Sequence, residues 1–569
     1  MKQRSAILLA GSIVIAMLLL IGAGLYVIGK GAGEDKMSME SNRPIETAGH
    51  KAEPVNYTIA AASSMVKVMP KDMLPDNRDI KLSLAGNEYE SFQIVVRADA
   101  DVEEVKVTLG EFRNGEHQLT DVQWYQVGYV WIETFKGHPT PEVAELQEPG
   151  WYPDPLLPSD SAQLIKDWSN PIWVTVHAPK DAAPGIYKGT VELEINGVSN
   201  VVDAEVEVYG FQLPDKPQLP NLFSLNFKYL QEVYGHVKPE MREKWLQYAA
   251  DYRISPDDMT VHPDYVEWAL NLSAEERAHY ADKVNGFTVY PITSTWADRE
   301  APAEKLIERF ERMRPYIDQL ISAGAVEKGN GVFYGFDEAE VEHFETMKQV
   351  NAHVKKVYPN IPIAATSQYI DSFEKMEELN VDILILHLVD GIYNNEFADQ
   401  IRERGKEVWA YISLQPYDPQ PNWRIENSPL EARILLSAMT LHERFDGFLY
   451  WSLNYYYKGV GVPSPPIKRN GPLLTNWSIT TPGEEHQWLH GDGVLLYAGT
   501  DGPIGSIRME NIRDGLEDFE YYKLLEQKSG FEEAYRAASE IVTSSLEFSR
   551  SPEQLYDVRK RIATTISGD

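Results

Sequence analysis

The sequence predicts a multidomain protein: an N-terminal all-β sandwich, then an α/β barrel of the (β/α)8 TIM-like type, then a C-terminal helical extension. Three observations predict it. From Tyr57 to Leu213 apolar and polar residues alternate with period two, as in half-buried strands. A stiff stretch, Pro214-Asp-Lys-Pro-Gln-Leu-Pro220, ends that pattern. Beyond it short β-rich apolar runs alternate with amphipathic helical segments, the order in which a parallel barrel closes.

Bulk composition narrows the partners. A chain of 569 residues exceeds one hydrophobic core, and 43% hydrophobic residues mark it as globular. A formal charge of −33 repels phosphate backbones and anionic lipid surfaces, which argues against nucleic acid. With no cysteine, the chain has no disulfide, no thiolate metal site, no cysteine nucleophile and no lipid-modified cysteine.

Residues 6–28 carry no charge and are long enough to cross a bilayer, whereas a cleaved signal peptide has an apolar region of only about 7–15 residues. Residues 1–30 are therefore read as a retained signal anchor. Lys2 and Arg4 precede the run, which keeps the short N-terminus cytoplasmic and places the folded body outside the cell membrane. The alternative is a long signal sequence cleaved near small residues such as Ala23, Gly24 or Ala32, which makes the protein secreted. In either case this N-terminal segment is the only membrane contact expected. Residues 31–55 are polar and aperiodic, as in a flexible tether.

The sandwich is assigned to residues 56–215. Ile80, Leu82 and Leu84 alternate with polar partners, as do Ile172, Val174 and Val176. Asn196-Gly197 separates two β-rich runs and suits the positive φ angles of a tight hairpin turn. The barrel is assigned to residues 216–500, with candidate strands at 221–227, 253–261, 285–292, 331–338, 362–368, 381–388, 407–414 and 445–452. Amphipathic segments at 303–323, 341–357, 395–404 and 429–441 lie between them. In residues 501–569, Ile512, Leu516, Phe519 and Leu524 recur near helical spacing among charged residues, so a helix is expected to dock beneath or beside the barrel. Arg508, Arg513, Asp514 and Asp518 are read as ion-pairing partners of that helix rather than as catalytic groups.

Asp337 and Glu338 carry the chemistry. They end the fourth candidate strand, and in a parallel barrel the active site lies where the strands' C-terminal ends meet. A carboxyl beside apolar walls and a second negative group resists ionisation, so one of the pair can hold a proton near neutrality and donate it to a leaving oxygen. Successive strand residues face opposite sides, so both carboxyls reach one pocket only where the chain leaves the strand or bulges. The neighbouring strand ends supply Gln368 and Tyr369, His387 and Asp390, Tyr411 and Gln415, and Trp451 and Asn454. Indole and phenol rings cover the C–H faces of a sugar while amides and hydroxyls bond its hydroxyl groups, and Trp451 is the candidate platform. His387 is read either as a core histidine or as a substrate contact. No metal-ligand spacing accompanies it. Neither a phosphate-cradling glycine loop nor a dinucleotide fingerprint is present, so no cofactor is expected.

Three stretches give the chain a resemblance to glycoside hydrolase family 123 and its DUF4091 relatives. They are Gly86-Asn-Glu-Tyr-Glu-Ser-Phe-Gln-Ile-Val-Val96 with Ala183-Pro-Gly-Ile-Tyr-Lys-Gly189, then Phe336-Asp-Glu338, then Gly491-Asp-Gly493 through Arg508-Met-Glu-Asn-Ile-Arg-Asp-Gly515. The resemblance implies a retaining exo-β-N-acetylgalactosaminidase or hexosaminidase in which the substrate's own 2-acetamido oxygen attacks C1. Glu338 matches the general acid/base, and Asp337 the residue that orients the acetamido N–H. The implied partner is a glycan with a terminal N-acetylhexosamine. Adjacent carboxyls suit this mechanism, because an ordinary retaining site needs two about 5–5.5 Å apart on opposite sides of the bond. Two other readings stay open: a conventional retaining glycosidase with a nucleophile such as Asp390, and a non-catalytic glycan-binding surface protein.

Overall fold

The computed structural model describes residues 55–75, 77–133, 148–257, 283–293, 299–389, 391–456, 466–478 and 490–568. The apolar run at 6–28, the tether up to residue 54 and Asp390 lie outside the described residues. Among the described residues no helix is long and apolar enough to cross a membrane.

Two sheets build the N-terminal β-rich domain. The first orders Tyr57–Ser63, Glu88–Ala98, Ser169–Ala178 and Asp121–Ile132 as antiparallel neighbours, with Gly150–Leu157 paired to the last. The second orders Ile80–Gly86, Val198–Gln212, Gly185–Ile195 and Val102–Leu109. Their inner faces share one core, in which Ile94 and Val174 of the first sheet meet Leu82 and Val191 of the second. At the hairpin between Gly185–Ile195 and Val198–Gln212, Asn196 and Gly197 have φ of 49° and 79°, the geometry for which that dipeptide is suited.

The second domain holds eight parallel strands, one in each segment expected: Asn221–Ser224, Pro256–Asp257, Phe287–Pro291, Gly331–Tyr334, Ile363–Thr366, Ile383–His387, Glu407–Ile412 and Phe448–Tyr450. They are shorter than the apolar runs that encode them, because several runs continue into the turns above the strands. Among the described residues these strands form a nearly closed parallel barrel with few helices, a coarser result than the complete (β/α)8 barrel expected. The ladder runs from the second strand through the first and the eighth down to the third, and the second and third strands form its two ends. The second strand pairs over two residues only, one of them Pro256, which has no N–H to donate. The third strand still approaches the first, where the Asn221 amide donates to the Asn285 carbonyl at 2.8 Å. Full-length helices follow the first, third and fourth strands, as in Ala303–Ser322 and Phe344–Val357. Those after the fifth and sixth are short, Phe373–Glu378 and Asn395–Arg402, and the segment after the second lies outside the described residues.

The terminal helix Ile507–Ser529 departs from the amphipathic helix expected on the barrel's flank. It is buried on nearly every face along Ile507–Tyr522, wedged between sandwich and barrel. Its charges find partners on both sides. Arg508 makes a two-point pair with Asp154 of the sandwich at 3.0 and 2.8 Å. Asp518 accepts from Arg433, on the helix before the eighth strand, at 2.6 Å, while Arg433 also grips Glu90 of the sandwich at 3.0 and 2.8 Å. Arg513 pairs with Glu510 and Asp514 on its own helix, both at 2.9 Å, and its guanidinium lies 4.6 Å from the Tyr89 ring centre. Buried charge is tolerated only when paired and hydrogen-bonded, so this helix ties sandwich to barrel through arginine forks.

Candidate active site

Strand alternation determines which side chains line the barrel. Tyr334, Ala364, Ile385, Tyr411 and Leu449 belong to one interior cluster. Two residues further along their chains come Thr366, His387 and Trp451, on the same face and one layer higher. Of this upper layer, Thr366 bonds the pair directly and His387 reaches it through Tyr411.

The fourth strand ends at Tyr334, and the chain then turns through two left-handed residues, Phe336 at φ 56° and Glu338 at φ 49°. The chain thus leaves the strand before the pair, which is the condition for both carboxyls to share a pocket. Non-glycine residues in this region are uncommon and are held by their surroundings. Here the Phe336 amide donates to Thr293 Oγ1 at 2.9 Å, the Glu338 amide to Thr366 Oγ1 at 2.5 Å and the Ala339 amide to the Thr366 carbonyl at 3.0 Å. Arg299 Nη1 donates to the carbonyls of Asp337 and Glu338 at 2.7 and 2.6 Å.

The two carboxyls have different company. Asp337 Oδ1 accepts from the Tyr334 hydroxyl at 2.7 Å and from Thr366 Oγ1 at 2.9 Å, so its orientation is set by two donors from two strands. Glu338 Oε1 accepts one bond, from the Tyr411 hydroxyl at 2.9 Å. Burial, followed by the charge of Asp337, pushes Glu338 up to about 7, while the Tyr411 bond and the charge of Arg299 oppose the rise. Both tyrosines are pushed well above the ordinary phenol value, mainly by burial and then by the neighbouring carboxylates, so each remains a donor. Since Tyr411 occupies Oε1 as a donor, the proton of neutral Glu338 belongs on Oε2.

Tyr411 is held in turn by His387. The two rings stack with centres 4.4 Å apart and planes 11° from parallel. Burial pushes His387 down to about 4, and its Nε2 donates to the Gln415 carbonyl at 3.1 Å. Gln415 thus meets this group through its backbone. Trp451 is half-buried after the eighth strand, its Nε1 donating to Asp492 Oδ1 at 3.1 Å and its ring edge-to-face with Tyr455 at 4.8 Å. Gln368 and Tyr369 are exposed just beyond Thr366. Asn454 is completely buried, its amide spent on both backbone groups of Asn226 at 2.9 Å.

Four participants escaped the sequence reading. Tyr334 and Thr366 were detectable, because they share strand parity with interior apolar residues two positions earlier. Asp492 lies in the Gly491-Asp-Gly493 motif but gained its place under Trp451 only by folding. Arg299 follows the third strand in a loop with no pattern. Glu300, Glu342 and His343 bring ligand atoms within 4.8 Å of one another. They do not fit a metal, because His343 Nδ1 accepts the Glu340 amide at 2.9 Å, leaving the proton on Nε2, which donates to Glu300 at 2.9 Å.

A raised carboxyl beside a second one held by fixed donors is an arrangement that suits acid chemistry on an acetal. Residues 240–525 match the glycoside hydrolase 123 catalytic domain and residues 79–195 the glycoside hydrolase 123 N-terminal domain, so the chain belongs to glycoside hydrolase family 123. A solved family 123 glycoside hydrolase from Clostridium perfringens, studied for hydrolysis of glycolipid glycans, shares the fold. Its TM-score is 0.64 at 14% identity, with 90% of this chain and 98% of that one covered. A β-glucuronidase from Parabacteroides merdae (TM-score 0.26, 9% identity, 70% of this chain and 47% of that one) is too different to inform the chemistry. So is a β-galacturonidase from Eisenbergiella tayi (TM-score 0.30, 11% identity, 80% and 72%). No curated protein sequence matches the chain.

Proposed function

We propose that this family 123 glycoside hydrolase is a retaining exo-β-N-acetylgalactosaminidase or hexosaminidase that uses its substrate's 2-acetamido group as nucleophile. The observation that carries the reading is the difference in environment between adjacent carboxyls. Glu338 is raised to about 7 with one hydrogen bond, while Asp337 is oriented by Tyr334 and Thr366. Consecutive carboxyls on one turn suit a single acid with a helper better than a pair straddling the scissile bond.

In the first step the acetamido oxygen bonds to C1 as the bond from C1 to the leaving oxygen breaks, and the proton on Glu338 Oε2 passes to that oxygen. Asp337 accepts the acetamido N–H and offsets the positive charge growing on the resulting oxazolinium ring. In the second step water attacks C1, the oxazolinium ring opens, and Glu338 takes the water's proton. The enzyme is restored and the β configuration retained. Trp451 supplies an apolar platform for the sugar face. Tyr411 positions the acid, His387 backs Tyr411, and Gln368, Tyr369 and Gln415 form the polar rim, with Asn454 holding the backbone of Asn226. Extracellular glycans, glycolipid glycans among them, are the proposed substrates, reached by a body tethered through the N-terminal segment.

The test is turnover of an activated aryl β-N-acetylgalactosaminide and its glucosamine epimer by the wild type, Glu338→Gln and Asp337→Asn. Glu338→Gln is expected to lose at least about 10²-fold in kcat/KM, less than with a natural leaving group, because a good leaving group needs less protonation. Asp337→Asn is expected to lose turnover on both. Wild-type rates in Glu338→Gln, or a glycosyl-enzyme adduct trapped on another carboxylate, would exclude this mechanism.

A further inference from the structure

We propose that Arg299 is a positioning residue that fixes the turn carrying Asp337 and Glu338, and that the Glu300–His343 pair holds Arg299 in place. The proposal rests on Glu338 being the acid. The turn includes two non-glycine residues in the left-handed region within three positions, and such conformations persist only where the surroundings impose them. Arg299 does so directly, with one guanidinium nitrogen forking to the carbonyls of both catalytic residues, and it is 7% exposed. Its neighbour Glu300 accepts from His343 Nε2 at 2.9 Å, and His343 Nδ1 receives the Glu340 amide at 2.9 Å, at the start of the short helical turn Val341–His343. Residues 299 and 300 therefore strap the turn on both sides, at 337–338 and at 340–343. Charge-assisted bonds to carbonyls are strong and directional, and a lysine ammonium on a shorter, rounder head does not reproduce a guanidinium fork.

Arg299 also acts on the acid at a distance, since its positive charge favours ionised Glu338. The charged and titratable groups felt by Glu338 are Asp337, Arg299, Glu340 and the hydroxyls of Tyr411 and Tyr334. Removing the guanidinium therefore has two separable effects: the turn loses its clamp, and Glu338 holds its proton to higher pH.

The experiment compares the wild type, Arg299→Met, Arg299→Lys and Glu300→Gln by steady-state kinetics on an aryl β-N-acetylgalactosaminide across pH. A carboxyl-13C glutamate titration, in which the Glu338 signal is identified by its loss in Glu338→Gln, needs no substrate. Arg299→Met should lower kcat about 10²-fold with KM within about twofold, and should move the Glu338 midpoint upward. Arg299→Lys keeps the charge, so kcat should fall about tenfold while the midpoint stays near its wild-type value. Glu300→Gln should show a smaller loss of the same kind. Wild-type kcat in Arg299→Lys, or an unmoved midpoint in Arg299→Met, overturns the proposal. If Arg299→Met does not fold, Arg299→Lys and Glu300→Gln decide it by the same loss of kcat at constant KM. A wild type inactive on every N-acetylhexosaminide, with the midpoint shift still seen, would overturn the proposed activity and leave the role of Arg299 standing.

Discussion

Tyr411 donates its hydroxyl to Glu338 Oε1 at 2.9 Å, joining the seventh strand to the turn after the fourth, and it does so with its ring stacked on neutral His387. The bond has a definite electrostatic sense, because a hydroxyl donating to a carboxylate favours the ionised form. Tyr411→Phe should therefore raise Glu338 above its present value of about 7. The alkaline limb of kcat/KM should move to higher pH, and kcat should fall roughly 10- to 100-fold as the acid loses its alignment. A pH–rate profile measured beside the wild type checks both.

The same carboxyl makes stability depend on pH. Glu338 is raised from 4.5 to about 7, so between those values the folded state holds a proton that the unfolded state has released. The contribution is fully present below 4.5 and is lost as pH rises through 7. Glu338→Gln, which cannot ionise, should be more stable than the wild type at pH 8 by on the order of 1–3 kcal/mol, with the gap narrowing at pH 5. Denaturant melts at the two pH values measure this.

Gly493 lies against the Trp451 ring. Its φ is 72°, and an added Cβ would lie 2.4 Å from Trp451 Cζ2. Gly493→Ala should thus strain the backbone and tilt the indole, weakening its bond to Asp492. If Trp451 carries the sugar face, KM should rise several-fold while kcat changes less, because stacking on a sugar acts in ground and transition states alike. A normal KM with the indole displaced, seen by tryptophan fluorescence, would remove Trp451 from the binding site.

Glu90 lies in the sandwich, completely buried, and accepts from Arg433 and Arg559 at 2.8 and 3.1 Å. Glu90→Ala leaves part of two buried guanidinium groups without a counter-charge and should cost about 3 kcal/mol or more. Because the lost contacts join sandwich to barrel, the thermal transition should broaden or split, which differential scanning calorimetry reads directly.

Much of the architecture was legible because it is local. Period-two alternation marks a strand wherever one face is buried, and the Asn196-Gly197 turn needs only the backbone freedom of its own residues. The eight barrel strands are legible differently, as short continuous apolar runs, because both faces of each are buried. The strands are shorter than those runs, since a residue such as Phe336 is as apolar as a strand residue yet packs in the turn above. The charged helix pairs its charges as its own residues suggest, but it is buried more deeply, because Asp514 and Asp518 also meet Arg433 from a segment about 80 residues away in the chain.

By itself the sequence determined where each barrel strand falls along the chain and the placing of Asp337-Glu338 just beyond a strand's end, because apolar runs and adjacency are written within a few residues. Only the tertiary structure decided how the surroundings of the two carboxyls differ. That difference depends on Tyr334 in the pair's own segment, on Thr366, Tyr411 and Arg299 from three others, and on burial that no neighbouring residue encodes. Proton affinity at the mouth of a barrel reflects strand register, and register exists only once the sheet has formed.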